Sequence, residues 1–305
     1  MGVSGGVVGR AVSAVLVPPQ AERFASLTGV QTDRLVLNVT GWNKLVLLDA
    51  DRVFLFPRAA AGVEWFEREI AAYRALAQTR LSVVPRLLGY WQDAEIYPFP
   101  FAAVTRLRGS VPAEPTAYAG QLGQAIAGWH ELQPPPLAGA RPPAHHEAAH
   151  HRWLRRALDP ATSAGAAAEA AGRLGRADRA PVWAALLARA AGLGPVLVHG
   201  DIHEDQLLAE GDRLTGIIDW ETARVDHPFW DFDLGEWGTG LWRRHRRDFS
   251  AIWAQGWRAY AEVRGLDPDP RPVETAFRLR HALRLLADPG DPAVVGTLEE
   301  HLAHL

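Results

Sequence analysis

The chain has 305 residues, more than one typical core holds, so one large or two closely packed domains are expected. Hydrophobic residues make up 48% and charged residues 22%, a balance that excludes a disordered chain, and a net charge of −3 argues against a nucleic-acid partner. The absence of cysteine excludes disulfides, thiolate metal sites and a cysteine nucleophile, and is compatible with a reducing, cytoplasmic location.

The apolar run 11–17 is too short to span a membrane and lacks the pattern of a cleaved signal. Glycine at position 6 breaks the myristoylation pattern that Gly2 would begin. Pro18 to Leu27 reads as a short helix and Asp33 to Val39 as a strand. Gly41-Trp42-Asn43-Lys44 reads as a turn, and Leu45 to Leu48 and Val53 to Phe56 as two further strands joined through Asp49-Ala50-Asp51. Lys44 is the sole lysine in the chain. Gly62 to Gln78 carries Trp65, Ile70, Tyr73 and Leu76 at helical spacing. Within it, the local reading of Glu69 is a surface pair with Arg68 or Arg74; a second reading comes with the family resemblance given below. Val83 to Tyr90 and Phe101 to Leu107 supply two more strands.

Glu114 to Leu132 is an amphipathic helix that stops at Pro134-Pro135-Pro136, and 134–145 is a Pro-, Ala- and Gly-rich loop. Alanine-rich helices follow over 150–158, 161–174 and 180–193. Helices are also expected over 229–264, 273–287 and from about 292 to the end. His146-Glu147-Ala148-Ala149-His150 matches H-E-x-x-H, in which two histidines share a helix face, Glu147 activates water and Glu169 could complete a zinc site. The motif lies beside a Pro-rich loop in a histidine-rich patch with His145 and His151. A solvated histidine face, or a wall of an acceptor site, is the reading preferred over a zinc hydrolase.

Between these helices, Val196 to Glu221 carries the most chemistry. The run Val196-Leu197-Val198 ends on His199-Gly200-Asp201. Gln206-Leu207-Leu208 and Leu214 to Ile218 form a hairpin about Gly211-Asp212, and Asp219 follows. A turn centred on 211–212 sets Asp219 opposite residue 204. Asp201, Gln206 and Asp219 then gather at the open end of the hairpin. That set suits phosphoryl transfer: one carboxylate orients or deprotonates a hydroxyl, while an amide oxygen and a second carboxylate hold Mg²⁺. A metal-binding amide five residues after a catalytic aspartate is the spacing of a kinase catalytic loop.

His199-Gly200-Asp201, the amide at 206, Ile217-Ile218-Asp219-Trp220-Glu221 and Asp226-His227-Pro228-Phe229-Trp230-Asp231 resemble the aminoglycoside and macrolide phosphotransferase family. The resemblance implies a two-lobed, protein-kinase-like α+β fold. It divides the chain into a nucleotide-binding lobe, 1–107, and a mostly helical lobe, 108–305. It implies ATP or GTP as donor, Mg²⁺ as cofactor and a small-molecule hydroxyl, an antibiotic or natural product, as acceptor. Asp201 becomes the catalytic carboxylate; Gln206 and Asp219 become metal ligands. His203 would touch phosphate or acceptor, His199 would be structural, Glu69 would reach a basic residue of the sheet, and Thr105 to Leu107 would hold the adenine.

Two positions depart from the family. Leu55 stands where its third strand carries a basic residue, and Gln206 where it has asparagine. A non-catalytic, pseudokinase-like binding protein is therefore the alternative. Lys44, ahead of Arg58, is the residue expected to replace the missing cation. The net charge of −3 does not suit a polycationic acceptor, so a nucleoside, macrolide or peptide antibiotic is favoured, with Trp220, Trp230, Trp237, Trp242, Trp253 and Trp257 as residues of which one or two could stack on it.

Overall fold

The computed structural model describes residues 12–38, 43–133, 148–232, 252–290 and 297–305. Short β-branched and aromatic runs separated by tight turns form a five-stranded antiparallel sheet: β1 (Val36–Asn38), β2 (Lys44–Leu48), β3 (Arg52–Pro57), β4 (Leu87–Trp91) and β5 (Phe101–Thr105). They lie in the order β1-β2-β3-β5-β4. Side chains alternate across the sheet. Leu47, Phe54, Phe56, Phe101 and Ala103 pack on one face with Phe24 of α1 (Pro18–Thr28). Leu55, Ala102 and Val104 turn to the other face, where α2 (Val63–Leu76) lays down Phe66, Ile70, Tyr73 and Leu76 at successive turns.

The remainder is mostly helical. α3 (Ala119–His130) buries Leu122, Ile126 and Trp129; α4 (Ala149–Ala157), α5 (Ser163–Arg173) and α6 (Ala180–Ala191) follow; α7 (Trp257–Arg264), α8 (Arg271–Ala287) and α9 (Leu298–Ala303) close the chain. Alanine spacing in α5 (Ala166, Ala167, Ala170, Ala171) lets it approach α6 closely. Of the segment expected to be one helix over 229–264, Pro228–Phe232 is a 3-10 turn and Ile252–Gly256 a π turn ahead of α7, while 233–251 lie outside the described residues. A Cβ at Gly123 of α3 would stand 2.0 Å from the Gly256 carbonyl oxygen, so these two segments touch backbone to backbone. Among the described residues no helix is long and apolar enough to cross a membrane.

Two small sheets lie between α6 and α7. β6 (Val196–Val198) pairs with β9 (Arg224–Asp226), and β7 (Leu207–Glu210) pairs with β8 (Arg213–Ile217) around Gly211. The hairpin register departs from the even count by one. A bulge between Leu208 and Ala209 leaves Thr215 without a partner, so Leu207 faces Ile217 and Gln206 accepts from the Ile218 N–H. Asp219 therefore lies beyond the partner of Gln206, opposite position 205 and not 204. The expected loop at 134–145 and the Gly41-Trp42 part of the expected turn lie outside the described residues.

Candidate active site

The site begins with strand register. Lys44 opens β2 and so is not a turn residue; it pairs with Pro57, and Val46 pairs with Leu55. Lys44, Val46 and Leu55 therefore share the sheet face that looks toward α2. Leu55 is buried in the core there. Lys44 is also buried, at 7% exposure, and its Nζ lies 2.5 Å from Glu69 Oε2, 2.6 Å from Asp219 Oδ1 and 3.1 Å from Glu221 Oε2.

Burial opposes the charge on Lys44, but Asp219, Glu69 and Glu221 outweigh it and hold the ammonium well above the ordinary lysine value. Asp219 is held below the usual aspartate range: burial pushes it up, and Lys44 more than reverses that. Burial raises Glu69 despite Lys44. Tyr73 donates to Glu69 Oε1 at 2.6 Å, and Asn43 Nδ2 donates to Glu221 Oε1 at 2.8 Å, so each carboxylate has a second anchor. The two readings of Glu69 are thereby separated: Arg68 pairs with Glu64, Arg74 lies over the Tyr90 ring, and Glu69 takes Lys44.

Arg58 is exposed. Its N–H donates to the Asn43 carbonyl at 2.8 Å and its Nε to the Lys44 carbonyl at 3.2 Å, so it braces the backbone of Lys44 and does not join the three carboxylates.

The opposite wall is the loop after β6. Gly200 has φ +80°, and a Cβ there would stand 2.1 Å from Arg224 Nη1, so the turn requires glycine. Asp231, fully buried, fixes this turn. Its Oδ1 accepts from the Gly200 N–H at 2.9 Å, and its Oδ2 from the His199 N–H at 3.1 Å, Trp129 Nε1 at 2.9 Å and His130 Nε2 at 2.9 Å. Burial would raise the Asp231 carboxyl, but these donors bring it below the ordinary value. Asp201 follows directly and is half-buried. His199 is a buried neutral imidazole whose Nε2 donates to the Ile218 carbonyl at 2.9 Å, tying the Asp201 loop to the strand that ends in Asp219. Asp219 has φ +69°, the only left-handed non-glycine among the described residues.

Gln206 is 4% exposed, and its Oε1 is buried without a hydrogen-bond partner. Gln206 and Asp219 stand at adjoining strand ends, where the Ile218 N–H meets the Gln206 carbonyl, and an amide oxygen with a carboxylate is a hard-oxygen pair of the kind Mg²⁺ takes. The carboxylates of Glu69, Asp219 and Glu221 lie within 4.8 Å of one another, the one three-ligand group among the described residues, and Lys44 neutralises much of their charge. His203 is half-buried, and burial lowers its basicity against the pull of Asp205.

The other expected positions fall as follows. The Thr105 N–H donates to the Arg86 carbonyl and its Oγ1 accepts from the Arg86 N–H, both at 2.9 Å, while the Arg106 N–H goes to Asp51 at 2.8 Å. Leu107 lies one step past these, with its side chain against Gly216 of the hairpin. His146 and Glu147 lie outside the described residues. His150 lies in the first turn of α4, and Glu169 is engaged by Arg156 at 2.5 Å. Trp220, Trp230 and Trp257 are core residues, and Trp237 and Trp242 lie outside the described residues. Three residues of the site were given no role by the sequence reading, Asn43, Glu221 and Asp231, although Glu221 and Asp231 each close a motif singled out there. The sign for Asp231 was its place between Trp230 and Phe232, since an acid amid large apolar residues must be paired. The sign for Glu221 was its position two residues past Asp219.

A family model described as "Phosphotransferase enzyme family" matches residues 38–276. No curated protein matches the chain. Among solved structures, the chain is similar to the macrolide 2'-phosphotransferase MphH from Brachybacterium faecium, at 22% identity and TM-score 0.51, over 94% of this chain and 98% of that one. It is also similar to the ADP-bound aminoglycoside phosphotransferase APH(2'')-Ib, at 15% identity and TM-score 0.53, over 95% of both chains. A third likeness is to aminoglycoside 2'-phosphotransferase-IIIa in its GDP complex, at 17% identity and TM-score 0.50, over 92% of this chain and 94% of that one. At these identities the likeness carries the fold, which is protein-kinase-like.

Proposed function

Because the chain belongs to the phosphotransferase enzyme family, we propose that it transfers the γ-phosphoryl group of ATP or GTP to a hydroxyl of a small molecule, an antibiotic or related natural product. The observation that carries this reading is the buried Lys44, held between Glu69 and Asp219 across from the loop that carries Asp201. Lys44 is the cation for the nucleotide phosphates, and Glu69 fixes its position. Arg58 acts on the nucleotide only through the backbone of Lys44. Leu107 faces the adenine; Thr105 has its N–H committed to the sheet and supports it from there.

Asp201 accepts or orients the proton of the acceptor hydroxyl, which aims the oxygen at phosphorus. Gln206 Oε1 and Asp219 would hold Mg²⁺, which when bound would neutralise charge on the phosphates. His203 borders the phosphates or the acceptor. Residues 1–107 form the nucleotide lobe and 108–305 the acceptor lobe, in a cytoplasmic enzyme. The departures at Leu55 and Gln206 are the grounds for the alternative, a non-catalytic binding protein. A lysine on the same sheet face as Leu55, paired to the helix glutamate, favours the enzyme over it. The acceptor class favoured is a nucleoside, macrolide or peptide antibiotic, since a net charge of −3 does not suit a polycation.

The test is consumption of ATP or GTP across a panel of hydroxyl-bearing antibiotics, followed by mass spectrometry for one added phosphate. Asp201→Ala should lower kcat about 100-fold or more while nucleotide still binds. Near-normal turnover in that variant would remove Asp201 from the mechanism.

A further inference from the structure

Of the three carboxylates around Lys44, Glu69 positions the lysine and Asp219 goes with Gln206; Glu221 has no part in that division. It sits in the 3-10 turn Trp220–Thr222, which is pinned on both sides of it. Trp220 is fully buried and its Nε1 donates to the Ile217 carbonyl at 3.0 Å, while Thr222 Oγ1 donates to the His199 carbonyl at 2.7 Å. From that fixed point the Glu221 side chain crosses to the start of β2 and sets one oxygen on each of two consecutive residues. Oε1 accepts from Asn43 Nδ2 at 2.8 Å, and Oε2 lies 3.1 Å from Lys44 Nζ.

A lysine ammonium has three N–H donors. Two are committed by short bonds, to Glu69 at 2.5 Å and to Asp219 at 2.6 Å. The third is left to Glu221, at the longest of the three distances and without an aligned hydrogen bond to Oε2. The Glu69 side chain, 1% exposed and also bound by Tyr73, is the contact hardest to give up. The Glu221 side chain, 16% exposed and the most loosely joined to Lys44, is the easiest. Three carboxylates around one ammonium leave an excess of negative charge, and at such distances that excess repels a polyphosphate.

We propose that Glu221 sets the affinity of the nucleotide site: its carboxylate competes with a phosphate oxygen for the third N–H of Lys44, and Asn43 holds it in place to do so. The proposal rests on the phosphotransferase reading of Lys44. Its consequence is discrimination between forms of the nucleotide. Free polyphosphate meets the full repulsion of the carboxylates, and phosphates already neutralised by a divalent cation meet less of it, so the metal-bound form is selected.

Binding of ATP and GTP to the full chain is measured by calorimetry in EDTA and again with excess Mg²⁺. Glu221→Gln keeps an oxygen for Asn43 and removes the charge. In it the Mg²⁺-free affinity should rise about tenfold, the scale of one charged hydrogen bond regained by the phosphate. Affinity for the Mg²⁺ complex should rise less. Adenosine and guanosine, which carry no phosphate, should bind both proteins alike. Damage to packing would not tighten binding, so the gain separates this role from a structural one. If Glu221→Gln does not fold, Glu221→Asp, which draws the charge back from Lys44 by one methylene, should show the same gain to a smaller extent. A Mg²⁺-free affinity unchanged or weaker in the folded variant, or an equal gain for the nucleosides, would overturn the proposal and leave the phosphotransferase reading intact. A wild type that binds neither nucleotide with Mg²⁺ present would overturn that reading, and the proposal with it.

Discussion

Lys44 carries one positive charge into a cage of three carboxylates, and the cage explains its burial. A lysine ammonium is buried at a large desolvation cost unless paired, and here the pairs are Glu69, Asp219 and Glu221. Removing it should weaken nucleotide binding by about 1–3 kcal/mol in Lys44→Ala, measured by calorimetry on folded protein, with acceptor binding little changed. Because Leu55 looks from the same sheet face, a lysine introduced there in the Lys44→Ala background should recover part of that affinity; no recovery would mean the face, and not merely the charge, is specific to strand β2. His227 gives a pH prediction. Its Nε2 donates to the Ala190 carbonyl at 3.0 Å and its Nδ1 accepts from the Phe229 N–H at 3.2 Å, a pattern that only the neutral ring can make. Burial lowers its pKa from 6.5 to about 4. With the folded value depressed, this stability is complete above about pH 6.5 and drains away as the pH falls toward 4, by up to about 3 kcal/mol. Denaturant midpoints of His227→Gln should lose that segment of the pH profile.

At the scale of elements, the loop after β6 is positioned from behind by Asp231, which gathers donors from α3 and from the loop itself. His130 extends the arrangement, because Tyr260 of α7 donates to its Nδ1 at 3.1 Å while its Nε2 donates to Asp231. Asp231→Ala would strand four buried donors. With each worth about 1–3 kcal/mol, a loss of at least 3 kcal/mol is expected in urea unfolding. Gly200→Ala meets the same loop from the other side, through a left-handed φ and the Arg224 guanidinium. It should lower kcat more than it changes the KM for nucleotide, because the displaced residue is Asp201 and not Lys44.

At the scale of the whole molecule, one apolar core runs from Leu55 and Phe66 through Trp129, Leu197 and Ile217 to Leu283, so the sheet face under α2 and the helical part share buried contacts. Such continuity predicts a single unfolding transition, with fluorescence and circular dichroism reporting the same midpoint. Mg²⁺-nucleotide at about 100 times its Kd should raise stability by about 2.7 kcal/mol. Two resolved transitions would show instead that the sheet-bearing and helical parts unfold apart.

The elements themselves were legible because their causes are local: alternation made the strands, three-to-four spacing made α2 and α3, and Gly211 made the hairpin turn. The order His199-Gly200-Asp201, Gln206, Asp219 was legible for the same reason, since a strand end and a short loop hold those residues within one stretch of chain. What only tertiary structure decided was which side chains meet across distance. Neither the bulge that moved Asp219 by one position nor the pairing of Lys44 with Pro57 has a mark in the residues involved. Strand register depends on the partner strand and on the turn, and a shift of one residue reverses every side chain. Glu69 had two self-consistent partners in sequence, and burial of Lys44 selected between them, because an ammonium taken out of water must find its carboxylates wherever the fold has put them.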